Sequence, residues 1–79
     1  MASKLEKIAI ESDYITLGQL LKKTGLIYNG GAAKFFLNEN QILVNDVSDS
    51  RRGRKLRPGD KIVINNERSF LITDANQES

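Results

Sequence analysis

Apolar residues recur at helical spacing in the first third of the chain. Leu17, Leu20 and Leu21 fall within about 100° of one another around a helix. Thr16 offers a hydroxyl group to the free amides at the start of this helix, and Gly25 can end it. The pattern predicts a first helix over residues 17–24. The polar positions on its opposite, exposed side are Gln19, Lys22 and Lys23.

The same spacing returns after a break in the chain at Asn29-Gly30-Gly31. The stripe is formed by Ala32, Ala33, Phe36 and Leu37. A second helix is therefore predicted up to Glu39-Asn40, with Asn40 in the left-handed conformation that ends it. Phe36 is expected to supply most of the buried area, with Phe35 lining the core beside it and Lys34 exposed.

Outside the helices the apolar period changes to two, as in strands. Ile8 and Ile10 share one face of a short edge strand. Asn45-Asp46 is predicted to join two short strands, at residues 42–44 and at Val47, because Asn and Asp tolerate the positive φ angles of a tight turn. A closing hairpin is predicted over residues 61–72, and a flexible tail over residues 74–79.

Two helices followed by short strands predict an α+β fold, in which two short helices pack on a small, mainly antiparallel sheet. The 79 residues suit a single domain, and the 39% apolar and 28% charged composition is that of a folded soluble protein. The first seven residues lack the apolar region of a signal peptide, and no apolar run has membrane-spanning length. A cytoplasmic protein without a membrane partner is expected.

Positive charge is concentrated in the middle of the chain, although the net charge is only +2. Eight cations and three acids lie between Lys22 and Arg57, which gives +5 there, against −1 before this stretch and −2 after it. Five of these cations lie within residues 51–57, which we call the basic segment: Arg51, Arg52, Arg54, Lys55 and Arg57. Charges this close repel one another, which favours a polyanionic partner over a purely solvated loop. Arginine forks also match phosphate geometry.

The residue types exclude most catalytic chemistry. No histidine or cysteine is present, so imidazole, thiolate and zinc chemistry built on those ligands is excluded. Asp46, Asp49 and Asp60 are expected in turns, without the buried setting that tunes acid and base pairs. Gly30-Gly31 is not followed by the Lys-Ser or Lys-Thr of a phosphate-binding loop. We predict no catalytic residue, no metal site and no cofactor.

Several segments occur together in a specific order. They are Thr16-Leu17 through Leu21, Gly25, Gly-Gly-Ala-Ala-Lys34, Ile42-Leu43-Val44-Asn45 and the run from Arg51 to Asp60. Over about residues 14–64 this order closely resembles the S4 RNA-binding domain, named for ribosomal small-subunit protein four, and most of all its small stand-alone members, called YaaA-like. The chain departs from the family where many members begin the first helix with Arg-Leu-Asp and this one has Thr16-Leu17-Gly18.

The resemblance implies the alpha-L motif, in which two helices and the next hairpin form a surface for structured RNA, often ribosomal RNA. It implies a non-catalytic binder that acts on the ribosome or on an assembly intermediate, and we expect a monomer. Asn45 is expected to be structural first and an RNA contact second. The residues expected to contact RNA are Lys22, Lys23, Gly31, Lys34, Asn45, Arg51, Arg52, Arg54, Lys55 and Arg57.

Two alternatives stay open on the residues alone. The basic face of an adapter would meet an acidic protein in the same way, and duplex DNA offers the same phosphates. Direct binding of RNA, duplex DNA and an acidic protein across a salt series separates the three.

Overall fold

The computed structural model describes residues 5–76, which form two helices and seven strands. The helices are α1 (Leu17–Lys23) and α2 (Ala32–Glu39). The strands are β1 (Leu5–Ile10), β2 (Ile15–Thr16), β3 (Ile42–Val44), β4 (Val47–Ser48), β5 (Lys55–Leu56), β6 (Lys61–Ile64) and β7 (Arg68–Asp74). The predicted α+β fold, with two helices on a mainly antiparallel sheet, is confirmed. Neither helix in this part of the chain is long and apolar enough to cross a membrane.

Five strands form one mixed sheet in the order β1-β7-β6-β3-β4. The pairs β7-β6, β6-β3 and β3-β4 are antiparallel, whereas β1 joins β7 in parallel at the edge. β2 and β5 form a separate antiparallel ribbon, in which Ile15 pairs with Leu56 and Thr16 with Lys55. The sequence does not predict this ribbon, because strands of two residues carry no readable periodicity.

Local signals explain where α1 begins and ends. The Thr16 hydroxyl accepts a hydrogen bond from the Gln19 amide at 3.2 Å, and the Thr16 amide donates to Gln19 Oε1 at 2.8 Å. This capping box satisfies two amides that a helix start leaves free. Gly25, with φ +81°, turns the chain away just after the helix. The predicted N-cap and the predicted end of α1 are both confirmed.

One hydrophobic core lies between the helices and the five-stranded sheet. Its fully buried side chains include Leu17, Leu20, Leu21, Leu56, Ile62 and Phe70. In α2 the buried residues are Ala33 and Leu37, whereas Phe36 is only partly buried and Phe35 is 71% exposed. The expectation that Phe36 dominates the buried area and that Phe35 lines the core is therefore wrong. Phe35 lies two positions from both Ala33 and Leu37, and so about 200° away from each around the helix.

Tight turns connect the strands of the sheet. Asn45 and Asp46 have φ angles of 52° and 71°, and Asn65 and Asn66 have 53° and 55°, as the predicted turns require. Asn40 is different, because its backbone is extended (φ −132°), and its side-chain amide ends α2 by donating to the Phe36 carbonyl at 2.8 Å. The left-handed conformation expected for Asn40 is therefore not found.

The predicted flexible tail overlaps the end of β7. Asp74 is the last residue of β7, and the Ala75 amide donates to the Ile10 carbonyl at 2.9 Å. Asp74 therefore belongs to the sheet, and Ala75 is bonded to its edge strand. Residues 77–79 of the predicted tail lie outside the described part of the chain.

Candidate nucleic-acid interface

The backbone of the basic segment is attached to the start of α1. The amides of Leu17 and Gly18, which have no partner within the helix, donate to the carbonyls of Arg54 at 2.8 Å and Arg52 at 2.9 Å. The Leu56 side chain is fully buried in the core. Backbone bonds in the middle of the segment and a buried leucine near its end therefore hold the backbone of the segment in place beside α1.

Gly18 permits this close approach. A Cβ atom at Gly18 would lie 3.4 Å from the Arg52 carbonyl oxygen, 3.5 Å from the Arg52 Cβ and 3.8 Å from the Ala33 Cβ. Arg52 therefore lies where α1 and α2 come together. Gly18 stands where many members of the family that the chain resembles have the Asp of Arg-Leu-Asp. In this structure the backbone of Arg52 fills the space beside Gly18.

Arg52 connects the basic segment to both helices. With Lys34, Leu37 and Ser50 it lines a shallow depression beside α2. With Lys22 of α1 and Gly53 it lines a neighbouring depression over the starts of the two helices. The predicted residues Lys22, Lys34 and Arg52 thus surround one surface, although they come from three separate segments.

The remaining cations of the basic segment line the next depression. They are Arg51, Arg54, Lys55 and Arg57. Gly53 lines this depression as well as the one over the helix starts, so the two surfaces are continuous. Lys34 and the basic segment therefore line adjacent depressions that share Arg52 and Gly53.

Asp49 pairs with two of these arginines. Its carboxylate accepts from Arg51 Nε at 3.1 Å, from Arg51 Nη2 at 2.9 Å and from Arg54 Nη1 at 3.3 Å. The hydrogen bond from the Arg51 side chain is the main reason that the pKa of Asp49 is lowered from 3.8 to about 2. Asp49 is consequently ionised at neutral pH and fixes the direction of both guanidinium groups.

The pairing reduces the positive charge of the surface without removing it. Lys34, the five cations of the basic segment and their ion-pair partner Asp49 together carry five net positive charges. The Arg51 side chain is 71% exposed, and its guanidinium retains N–H groups that Asp49 does not use. In the described part of the chain, Lys34, Arg52, Lys55 and Arg57 have no ion-pair partner.

Tyr14 belongs to the same surface, and the sequence reasoning missed it. Lys55 Nζ lies 5.0 Å from the centre of the Tyr14 ring, and Arg57 Cζ lies 5.8 Å from it. Both distances are within the range of cation–π attraction. The available signal was an aromatic residue two positions before the Thr16 cap, in the segment that leads into α1.

Asn45 has a structural position. Its side chain donates to Asp60 Oδ1 at 3.0 Å and accepts from the Lys61 amide at 3.0 Å. Asp60 Oδ2 in turn accepts from the Arg57 amide at 2.8 Å. Asn45 therefore holds the Pro58-Gly59 turn that follows the basic segment, in agreement with its expected structural role.

The two remaining predicted residues lie near the helix ends. Lys23 is exposed at the end of α1 and lines a depression together with Lys22 and Tyr14. Gly31 is the N-cap of α2, and it is Asn29 whose Oδ1 accepts from the Ala32 amide at 3.0 Å. Because Asn29 occupies that amide, the start of α2 offers fewer free donors to a phosphate than the glycine pair suggests.

The three carboxylates that were expected in turns have structural partners or turn positions. Asp46 lies in the β3-β4 turn, Asp49 pairs with arginines, and Asp60 accepts from the Arg57 amide and the Asn45 side chain. No group of three carboxylate, imidazole or thiol side chains comes together in residues 5–76. The side chains that line the depression of the basic segment are cations, which suits the binding of an anion.

Comparison with known proteins identifies close relatives of the chain. A family model described as the S4 domain matches residues 8–73. A curated relative from Bacillus subtilis (strain 168), the probable ribosome maturation protein RlbA, is 49% identical over 67 residues, which cover 85% of this chain and 94% of the relative. No solved structure matches the chain significantly.

Proposed function

Because this chain belongs to the S4 domain family, we propose that it binds structured RNA, ribosomal RNA in particular, through Lys34 and the basic segment and that it acts in ribosome maturation. The observation that carries the proposal is that Lys34 and the basic segment line adjacent depressions, with five net positive charges among these residues and Asp49, and that the backbone of the segment is bonded to α1. The name of the Bacillus subtilis relative supports the assignment to maturation.

The mode of binding follows from the geometry of double-helical RNA. Its major groove is too deep and narrow for side chains, so a small rigid domain contacts chiefly phosphates, sugar hydroxyls and the shape of junctions. The fold of the RNA sets the spacing of its phosphates, and the backbone of the basic segment is likewise held in place. The arginines and lysines of the segment are therefore suited to bind those phosphates. The protein therefore binds by charge and shape, as a non-catalytic factor.

A salt series with purified protein tests the proposal. Fluorescence anisotropy is measured with a structured ribosomal RNA fragment, with duplex DNA of equal length and with an acidic protein. With five phosphates neutralised at a slope of about −0.7 each, the RNA affinity falls about a hundredfold between about 50 and 200 mM salt. RNA binding that does not respond to salt, or preference for the acidic protein, would overturn the proposal and favour an adapter.

Cross-linking in cells tests whether the bound RNA is ribosomal. We expect the RNA cross-linked to the protein to map to a dominant ribosomal site, and Lys34 together with Arg52 to be needed for that signal. Cross-links spread over unrelated RNAs would contradict a role in ribosome maturation while leaving RNA binding intact.

A further inference from the structure

Tyr14 is held in place at the side of the positively charged surface. The Ser12 hydroxyl donates to the Tyr14 carbonyl at 2.7 Å, and the next residue, Ile15, pairs with Leu56 in the ribbon. Continuing that register places Tyr14 opposite Arg57. Tyr14, Lys55 and Arg57 therefore share the outer face of the ribbon, because Leu56 points into the core.

Part of this tyrosine is open to solvent. Tyr14 is 39% exposed although two cations lie against its ring. It lines an open depression of about 790 Å³ together with Asp13, Lys22 and Lys23. This volume is in the range of sites that take a small organic molecule.

The charge of the depression differs from that of the basic segment. Lys22 and Lys23 are opposed by Asp13, so the depression has one net positive charge, whereas four cations line the depression of the basic segment. A carboxylate repels phosphate, but it accepts hydrogen bonds from the amino groups of bases. An aromatic ring beside a carboxylate, with lysines at the edge, suits a nucleobase whose phosphates point outward.

We propose that one unpaired RNA base stacks on Tyr14 in this depression, with its flanking phosphates at Lys22 and Lys23. The proposal rests on the proposed function, since it adds a base contact to a surface that otherwise binds phosphates. Stacking on aromatic side chains is the usual way in which proteins bind bases that RNA leaves unpaired. The proposed contact predicts that the protein prefers RNA with an unpaired nucleotide next to a helix.

Tyrosine fluorescence tests the contact directly. The chain has two tyrosines and no tryptophan, and Tyr28 is 91% exposed. In the Tyr28→Phe variant, all tyrosine emission therefore comes from Tyr14. Titration with an RNA hairpin that has an unpaired nucleotide next to its helix is expected to quench this emission, whereas inorganic polyphosphate, which has charge but no bases, is expected to leave it nearly unchanged.

The outcomes separate this proposal from the proposed function. RNA binding by anisotropy without quenching overturns stacking and leaves the RNA function standing. Equal quenching by polyphosphate also overturns it, because the emission then reports only movement of Lys55 and Arg57. Failure to bind RNA at all overturns the proposed function and this proposal with it.

Substitutions of Tyr14 give a second test on two RNAs, a hairpin with an unpaired loop and a blunt duplex. Tyr14→Phe keeps the ring, so we expect affinities within about twofold of the unmodified protein. Tyr14→Leu removes the ring and is expected to weaken hairpin binding about tenfold, with less than about twofold change on the duplex. Equal loss on both RNAs would show that Tyr14 only positions Lys55 and Arg57, and would overturn the proposal. Thermal unfolding checks that both variants fold.

Discussion

The amide of Gly18 donates to the carbonyl of Arg52 at 2.9 Å, so a glycine in the first turn of α1 fixes the backbone of the basic segment. The two residues lie far apart in the chain, and a Cβ at Gly18 would already reach contact distance with Arg52. This hydrogen bond therefore links the start of α1 to the position of the basic segment.

Enlarging Gly18 is expected to move the basic segment. Gly18→Leu has good helix propensity, but the added atoms collide with Arg52, so RNA affinity should fall about tenfold as phosphate contacts are lost. Gly18→Ala is the matched control, because its Cβ fits at ordinary contact distance and raises helix propensity. Anisotropy measures affinity, and circular dichroism checks the fold. Unchanged RNA affinity in the leucine variant would contradict the importance of this contact.

Removing cations that have no carboxylate partner should weaken RNA binding without loss of stability. Lys34 and Arg52 line the same depression and have no ion pair in the described residues. Changing both to Ala is expected to reduce the slope of log affinity against log salt by about 1.4. Arg68→Ala is the control, since Arg68 pairs with Glu6 at 3.5 Å and lines none of these depressions. If the double variant has the same slope as the unmodified protein, neither residue contacts the RNA.

Asn45 should affect stability rather than RNA binding. Asn45→Ala loses the bonds to Asp60 and Lys61 and forces alanine to a φ of 52°, so it should reduce the free energy of unfolding by about 2 kcal/mol. Asn45→Gly keeps the backbone conformation and should cost less. Thermal melting measures both, with an expected shift of about 10 °C for the alanine variant. Weak RNA binding by a well-folded glycine variant would instead make Asn45 a direct contact.

Asp49 should make stability depend on pH in acid. Its pKa is about 2 in the folded protein and near 3.8 when unfolded, so the folded state binds fewer protons and stability falls as pH decreases from about 4 to about 2. The shift corresponds to about 2 kcal/mol, and solvent around the exposed Arg51 reduces the expected effect to about 1 kcal/mol.

Comparison with Asp49→Asn isolates this effect, because the other carboxylates are common to both proteins. Urea unfolding at a series of pH values should show the stability difference between the two proteins decreasing over that acid range. A difference that does not change with pH would mean that the pair with Arg51 is not formed in solution.

The elements of the fold were predictable because their signals are local. Thr16 with Gln19 forms a capping box within one helical turn, and the Asn45-Asp46 turn depends on two adjacent residues. One error arose where a contact with a distant residue decided. The end of α2 depends on Asn40, whose Oδ1 accepts from Asn65 of another turn at 2.7 Å.

The sequence by itself determined the helices, the turns and the concentration of positive charge between Lys22 and Arg57, since these depend on neighbouring residues. Only the tertiary structure decided which side chains meet. Arg52 and Lys34 line one depression, and Tyr14 lies against Lys55 and Arg57. These contacts join segments that are distant in the chain, and their geometry depends on how the helices and the sheet pack around one shared core.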